Sequence, residues 1–181
     1  MSDVAGTGDS IEDPTQISSW RELRLLQAAM DADIGRIYAE RNIDDLKAAF
    51  VLELLRLHAR GPMTITELAE SVERTHSALS QKVAAMREAG WVSTTPGTDA
   101  RSKKVTLTPK ATRIIRRLAA EWRATEAAMA EIEAEIPYPL SRVVTDMKAA
   151  LARRTFHDRI AARLAADPDW SADPEEAPMS L

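Results

Sequence analysis

The sequence TITELAESVERTHSALSQKVAAMREAGWVSTTPGTDARSKKVTLT, residues 64–108, decides the fold of this chain. Apolar residues recur at helical spacing in residues 64–72 and again in residues 75–89. Residues 91–95 and 103–107 are rich in β-branched residues and are separated by a Pro-Gly turn. The segment therefore predicts two short helices followed by a two-stranded hairpin.

Local signals set the ends of these elements. Thr64 and Glu67 have the spacing of a capping box, and Gly90 suits the left-handed residue that follows a helix C-terminus. Three apolar side chains fall on one face of the second helix and are predicted to be buried, namely Leu79, Val83 and Met86. This order of elements is that of a winged helix-turn-helix, which places its second helix in a major groove of DNA.

The outer face of this second helix is small and polar, as a DNA-reading helix requires. Gln81 could make paired hydrogen bonds to adenine, and Ser77 or Ser80 could bond bases or phosphates. Thr75 and the free amides at the helix N-terminus suit a phosphate. Arg74 and Lys82 could neutralise backbone phosphates, and His76 could contact a phosphate or a base. An ordinary amphipathic helix with a polar outer face is the alternative interpretation.

The tip of the predicted hairpin is basic. Arg101, Lys103 and Lys104 lie within four residues on an exposed turn, where packing does not require them. Arg101 is the candidate for a minor-groove contact, and Asp99 could hold its guanidinium through a charge-assisted hydrogen bond. The hairpin therefore strengthens the prediction of DNA binding.

Charge is distributed unevenly along the 181-residue chain, whose formal net charge is −4. Residues 1–17 and 167–181 together hold nine acidic residues and no base, so the remainder carries +5. Residues 74–117 alone carry +8. A basic segment on this motif indicates a nucleic-acid partner, with a solvated basic face as the alternative.

Composition excludes several classes of protein. The chain has no cysteine, which excludes disulfides, thiolate metal sites and cysteine redox sensing. No apolar run approaches the roughly 18 residues of a membrane span. The acidic N-terminus lacks the features of a signal peptide. We therefore expect a cytoplasmic protein with no membrane partner.

Helices are predicted on both sides of the motif. The first begins at a Ser19–Glu22 capping box and ends at Asn42, and another covers residues 44–58. Thr108 and Pro109 open a long helix that ends at about residue 136, and a last helix covers residues 140–166.

The first, the long and the last helices carry apolar stripes that one small winged helix cannot bury. A second copy of the chain, related by a two-fold axis, would cover them, so we predict a homodimer. A helical bundle within one chain is the alternative. The predicted fold class is mainly α with a small β-wing. The predicted regions are a disordered acidic tail (1–17), an N-terminal dimerisation helix (18–43), the winged helix-turn-helix lobe (44–108), long C-terminal dimerisation helices (109–166) and a second disordered acidic tail (167–181).

The segment resembles the MarR family of bacterial transcriptional regulators. The matching features are Leu68-Ala69 in the short helix, Gly90-Trp91-Val92 after the second helix, Asp99-Ala100-Arg101 at the hairpin tip and Leu107-Thr108-Pro109 before a long helix. The flanking helices extend the resemblance to about residues 18–166. The resemblance implies a homodimer on a pseudo-palindromic DNA operator, usually a repressor, that a small and often aromatic ligand releases. Redox-sensing members use cysteines, which this chain lacks.

Four side chains are candidates for the lining of such a ligand pocket: Tyr38, Phe50, His58 and Trp122. Packing in the core or in a dimer interface is the alternative for each of them. The sequence identifies no effector, operator or regulated gene, and it does not separate a repressor from an activator.

Other functions find less support in the sequence. His58, His76 and His157 lie on three different predicted helices, and no nucleophile or phosphate-loop motif accompanies them. We therefore predict no enzymatic activity, no metal site and no cofactor. A winged helix that binds a protein instead of DNA is the alternative function, although the basic hairpin argues against it.

Overall fold

The chain folds into helices and one small sheet. The computed structural model describes residues 13, 15, 18–43, 45–96 and 103–171. The elements are α1 (Ser19–Glu40), a 3-10 turn (Ala48–Phe50), α2 (Val51–Arg60), β1 (Met63–Thr64), α3 (Ile65–Ser71), α4 (His76–Glu88), β2 (Val92–Pro96), β3 (Lys103–Leu107), α5 (Pro109–Glu135), α6 (Leu140–Arg153), α7 (Phe156–Leu164) and α8 (Pro168–Ser171). The predicted fold class, mainly α with a small β-wing, is confirmed. The chain divides into two compact units, residues 1–122 and 123–181.

The core of the first unit is built from α2, α3, α4, the sheet and the first turns of α5. The predicted apolar face of α4 is confirmed, since its three residues are all buried. The largest buried side chains around it include Leu54, Leu68, Trp91, Val105 and Leu118. Burial of each such side chain stabilises the fold by about 1.5–3 kcal/mol relative to its exposure.

Local capping follows the sequence closely within this unit. Thr64 and Glu67 form the predicted capping box at the start of α3. Gly90 has φ of 74°, in the left-handed region expected after α4. The Thr108 hydroxyl accepts a hydrogen bond from the amide of Ala111, as predicted for the start of α5.

The sheet has three antiparallel strands in the order β1-β3-β2. The predicted hairpin is present, with β2 and β3 paired from Val92↔Leu107 to Pro96↔Lys103. Residues 97–102, which include the predicted wing tip, lie outside the described residues. The strand β1 was not predicted, because two residues are too few to show a strand period. It pairs Met63 with Val105.

Two predictions for the N-terminal helices are wrong. Ser18, not Ser19, occupies the N-cap position of α1 and makes no side-chain cap bond, so the Ser19–Glu22 capping box does not form. The second helix starts at α2 rather than at residue 44, because Asp45 has φ of 60° and Lys47 is extended. The indole N–H of Trp91 donates a 2.9 Å hydrogen bond to the carbonyl of Asp45, and this tertiary contact holds the linker out of a helix. The predicted break at residue 42 is present.

The second unit contains two helices where the sequence predicted one over residues 140–166. α6 ends because Arg154 is extended, with φ of −151° and ψ of 120°. Thr155 then caps α7, its hydroxyl accepting from the amide of Asp158. Residues 168–171, inside the segment predicted to be disordered, form α8, and residues 172–181 lie outside the described residues.

Several helices expose apolar stripes in the single chain. In the first unit, α1 exposes Trp20, Leu23, Leu26 and Ile37. In the second unit, α6 exposes Leu140, Val143, Val144, Met147 and Leu151. Side chains at this helical spacing form a continuous apolar face along each helix.

Candidate nucleic-acid interface

The helix α4 separates a buried face from an exposed one. Its N-terminus is capped by Thr75, whose hydroxyl accepts a 3.3 Å hydrogen bond from the amide of Ala78. The apolar face packs into the core of the first unit. Most side chains of the opposite face are exposed, so they are available to a ligand.

The structure places most of the predicted DNA-contact residues on or beside this exposed face. Arg74, Thr75, His76, Ser77 and Gln81 are exposed, and Ser80 is half-buried. Their exposure is compatible with the predicted contacts, which stay predictions.

A shallow concavity runs along the later turns of α4. It is lined by Gln81, Ala84, Ala85, Arg87 and Glu88. The two alanines keep this part of the helix narrow, which would allow its backbone to approach a base-pair edge closely.

Arg87 is a candidate contact that the sequence-based prediction missed. It is exposed and lines the same concavity as Gln81. It follows Ser80 by seven residues, or about two helical turns, so it lies on the same side of α4 as that serine. The seven-residue spacing from Ser80 could have identified Arg87 as a candidate, but the candidates predicted from the sequence all lay in the first half of the helix.

Lys82 differs from the other predicted contacts because it has partners within the protein. Its Nζ is 2.8 Å from Oε1 of Glu53 and donates a 2.9 Å hydrogen bond to the carbonyl of Ala49. The Lys82 side chain is 24% exposed, whereas the Glu53 side chain is fully buried. The ammonium group is therefore engaged with two groups of the protein, and the contact of Lys82 with DNA stays a prediction.

The two lysines of the hairpin have different environments. Lys103 is exposed, whereas Lys104 is half-buried. Hydrogen bonds from the backbone and side chain of Thr64 hold the pKa of Glu67 below its ordinary value of 4.5, and the charge of Lys104 lowers this pKa further. The charge of Lys104 therefore favours the ionised form of Glu67 in the capping box of α3. Arg101 and Asp99 lie outside the described residues.

The four candidates for a ligand pocket differ in their surroundings. Tyr38 and Phe50 are buried in the core of the first unit, while His58 and Trp122 are exposed. The phenol of Tyr38 donates a 2.9 Å hydrogen bond to Oε2 of Glu121. Burial, together with this bond to a carboxylate, raises the pKa of Tyr38. Tyr38 and Phe50 therefore pack in the core, and the ligand pocket stays a prediction for all four residues.

A metal site and a membrane-spanning helix are both absent from the described parts of the chain. No three His, Asp or Glu side chains there come together as possible metal ligands. Within the same residues, no helix has the length and apolarity needed to cross a membrane.

Comparison with protein families finds one match for this chain. Residues 51–114, about a third of the chain, match the protein family described as HVO_A0114. No curated protein matches the sequence.

Solved structures of MarR-type regulators share the fold over most of the chain. The transcriptional regulator MosR of M. tuberculosis, in complex with DNA, is 23% identical, with a TM-score of 0.54 over 76% of this chain and 99% of that one. MepR of S. aureus, also in complex with DNA, is 16% identical, with a TM-score of 0.53 over 76% and 95%. A MarR protein of Peptoclostridium difficile is 17% identical, with a TM-score of 0.50 over 82% and 92%. The chain therefore has the winged helix-turn-helix fold of MarR-type transcription regulators.

Proposed function

We propose that this chain is a sequence-specific DNA-binding transcriptional regulator of the MarR type. One observation carries the proposal: α4 is buried on one face and presents a small, polar, exposed face on the other. Two proteins of the same fold, MosR and MepR, are known in complex with DNA, which supports this assignment.

In the proposed complex, α4 enters a major groove. Gln81 makes paired hydrogen bonds to an adenine, and Ser77 bonds a neighbouring base or phosphate. The capped N-terminus of the helix receives a backbone phosphate. Arg87 and Lys103 neutralise phosphates on the flanks, and Arg101 reaches an adjacent minor groove.

The proposed active form is a homodimer. A second copy would cover the apolar faces of α1 and α6, and two-fold symmetry would present two recognition helices to a pseudo-palindromic operator. We further propose that the dimer represses transcription in the cytoplasm and that a small, often aromatic ligand releases it. The resemblance to MarR proteins supports these last two points.

Selection from a pool of random duplexes tests the proposal even though the operator is unidentified. The purified protein selects bound duplexes over several rounds, and fluorescence anisotropy then compares the selected duplex with a scrambled one at two salt concentrations. We expect tighter and salt-sensitive binding to the selected duplex, because cationic contacts release counterions from DNA. Failure to enrich any sequence would contradict specific DNA binding and favour the alternative of a winged helix that binds a protein.

A matched pair of variants connects the result to α4. Ala84→Glu adds a negative side chain to the middle of the exposed face and should abolish binding. Ala84→Ser keeps the position small and neutral and should bind like the wild type. Equal binding by all three proteins would exclude this face as the DNA contact.

A further inference from the structure

An ion pair between a buried glutamate and a partly exposed lysine joins α2 to α4. Glu53 of α2 is fully buried, and its Oε1 is 2.8 Å from Nζ of Lys82. The same Nζ donates a hydrogen bond to the carbonyl of Ala49 in the 3-10 turn. The lysine is therefore bound at two points near the N-terminus of α2. The second carboxylate oxygen of Glu53 has no hydrogen-bond partner among the described residues.

We propose that Glu53 is a positioning residue for DNA recognition, which sets the rotation of α4 about its own axis through Lys82. This inference rests on the proposed function and deepens it, because it makes the preference for one DNA sequence depend on a buried residue that does not touch DNA. Lys82 then serves as a tether for the helix instead of a contact to DNA.

The physical reason is the difference between apolar and ionic contacts. Burial of the apolar side chains of α4 decides which side of the helix faces the core, but this driving force has no directional preference of its own. The hydrogen bonds of Lys82 have preferred distances and angles and weaken steeply outside them. A buried carboxylate also loses its hydration and needs a charge partner, so Glu53 favours the rotations of α4 that keep Lys82 beside it.

Because Lys82 is adjacent to Gln81 in the sequence, a restraint on Lys82 also restrains the direction of Gln81. Gln81 is the preceding residue, so the two side chains leave the helix about 100° apart. A rotation of about 20° would move a side-chain atom that lies about 5–6 Å from the helix axis by about 2 Å. A shift of that size breaks a paired hydrogen bond to a base.

The decisive variant replaces the ion pair by apolar residues. In Glu53→Leu/Lys82→Met, no charge is left buried, and such replacements in other proteins retain or raise stability. We expect a folded protein whose preference for the selected duplex over the scrambled duplex falls about tenfold, the loss expected for one good paired contact. Its affinity for the scrambled duplex should stay the same.

Two outcomes of the binding experiment would overturn the inference. A folded double variant with wild-type preference would show that the pair has no positioning role. An equal loss of affinity on both duplexes, with a weaker salt dependence, would show that Lys82 contacts phosphate. Lys103→Met, which removes an exposed lysine and leaves the pair intact, provides the reference for a phosphate contact.

A crystal structure of the double variant tests the tether without DNA. With α2 and the sheet superposed on those of the wild type, α4 should be rotated about its own axis, while Leu118 keeps its position. An α4 in the wild-type rotation would overturn the inference. If the wild type selects no DNA sequence, the proposed function fails, whereas the rotation of α4 in the variant still decides whether Glu53 positions this helix.

Discussion

Nζ of Lys110 lies 4.1 Å from the centroid of the Trp91 ring. The same Nζ donates a 3.1 Å hydrogen bond to the carbonyl of Ala89, and the indole N–H of Trp91 donates to the carbonyl of Asp45. The end of α4, the linker before α2 and the first turn of α5 therefore meet at one buried tryptophan. This junction attaches the C-terminal end of α4 to the rest of the first unit.

Substitutions at this junction should reduce stability by different amounts. Trp91→Ala leaves a large cavity and should lower the free energy of unfolding by about 3–5 kcal/mol. Lys110→Met keeps most of the side-chain volume and should cost about 1 kcal/mol, through the lost cation–π contact and hydrogen bond. Urea denaturation followed by circular dichroism measures both, with Arg113→Met at an exposed position of α5 as the control. Equal losses in all three variants would contradict a special role for the junction.

The capping box of α3 should make stability depend on pH. The pKa of Glu67 lies below 4.5 in the folded protein, owing mainly to its hydrogen bonds with Thr64. The unfolded chain therefore binds the proton more tightly, so this contribution is present above pH 4.5 and disappears as the pH falls through the folded pKa.

Glu67→Gln should be less stable than the wild type at neutral pH, and the difference should shrink as the solution is acidified. Thermal unfolding at a series of pH values from neutral to well below the ordinary pKa of a glutamate measures this difference. A constant difference across that range would show that the charge of Glu67 does not contribute.

Gln81→Ala should relax the sequence preference of the protein. Loss of a paired contact to adenine costs about 1–3 kcal/mol on the selected duplex and little on a scrambled one. Anisotropy titrations with both duplexes measure the two affinities. Equal losses on both would reassign Gln81 to the DNA backbone. The neighbouring Arg87→Ala provides a comparison, since a phosphate contact should weaken both complexes alike.

Arg101→Ala should weaken DNA binding and leave the oligomeric state unchanged. A cationic contact contributes to affinity because it releases a counterion from DNA. In the variant, the slope of the logarithm of the binding constant against the logarithm of the salt concentration should therefore be smaller by about one. Gel-shift titration and size-exclusion chromatography measure the two properties. Wild-type affinity in this variant would remove the wing tip from the proposed interface.

The exposed face of α6 should control self-association. Met147→Asp places a charge in the middle of this apolar face and should shift a dimer towards monomers, as measured by sedimentation velocity. Thr145→Asp adds the same charge on the opposite side of the helix and serves as the control. A dimer that persists in Met147→Asp would exclude this face from the interface.

Local signals predicted the winged-helix motif well. The start of α3 at Thr64 and the cap of α4 at Thr75 follow from hydrogen bonds within three residues. The start of α7 has a similar sequence pattern, since Thr155 caps this helix by accepting a hydrogen bond from the amide of Asp158, three residues later. The apolar stripe that continues through both helices favoured the prediction of a single helix. The false capping box at Ser19 shows that the right residue pair does not ensure the cap geometry.

The sequence by itself determined which helices form in the motif and which face of α4 is buried, because caps and helical periodicity act over a few neighbouring residues. Only the tertiary structure decided the direction of Lys82, whose partner Glu53 is 29 residues away. It also decided the extended linker at Asp45, which Trp91 holds from 46 residues away. Contacts over such distances depend on how the elements pack, and no local pattern in the chain encodes them.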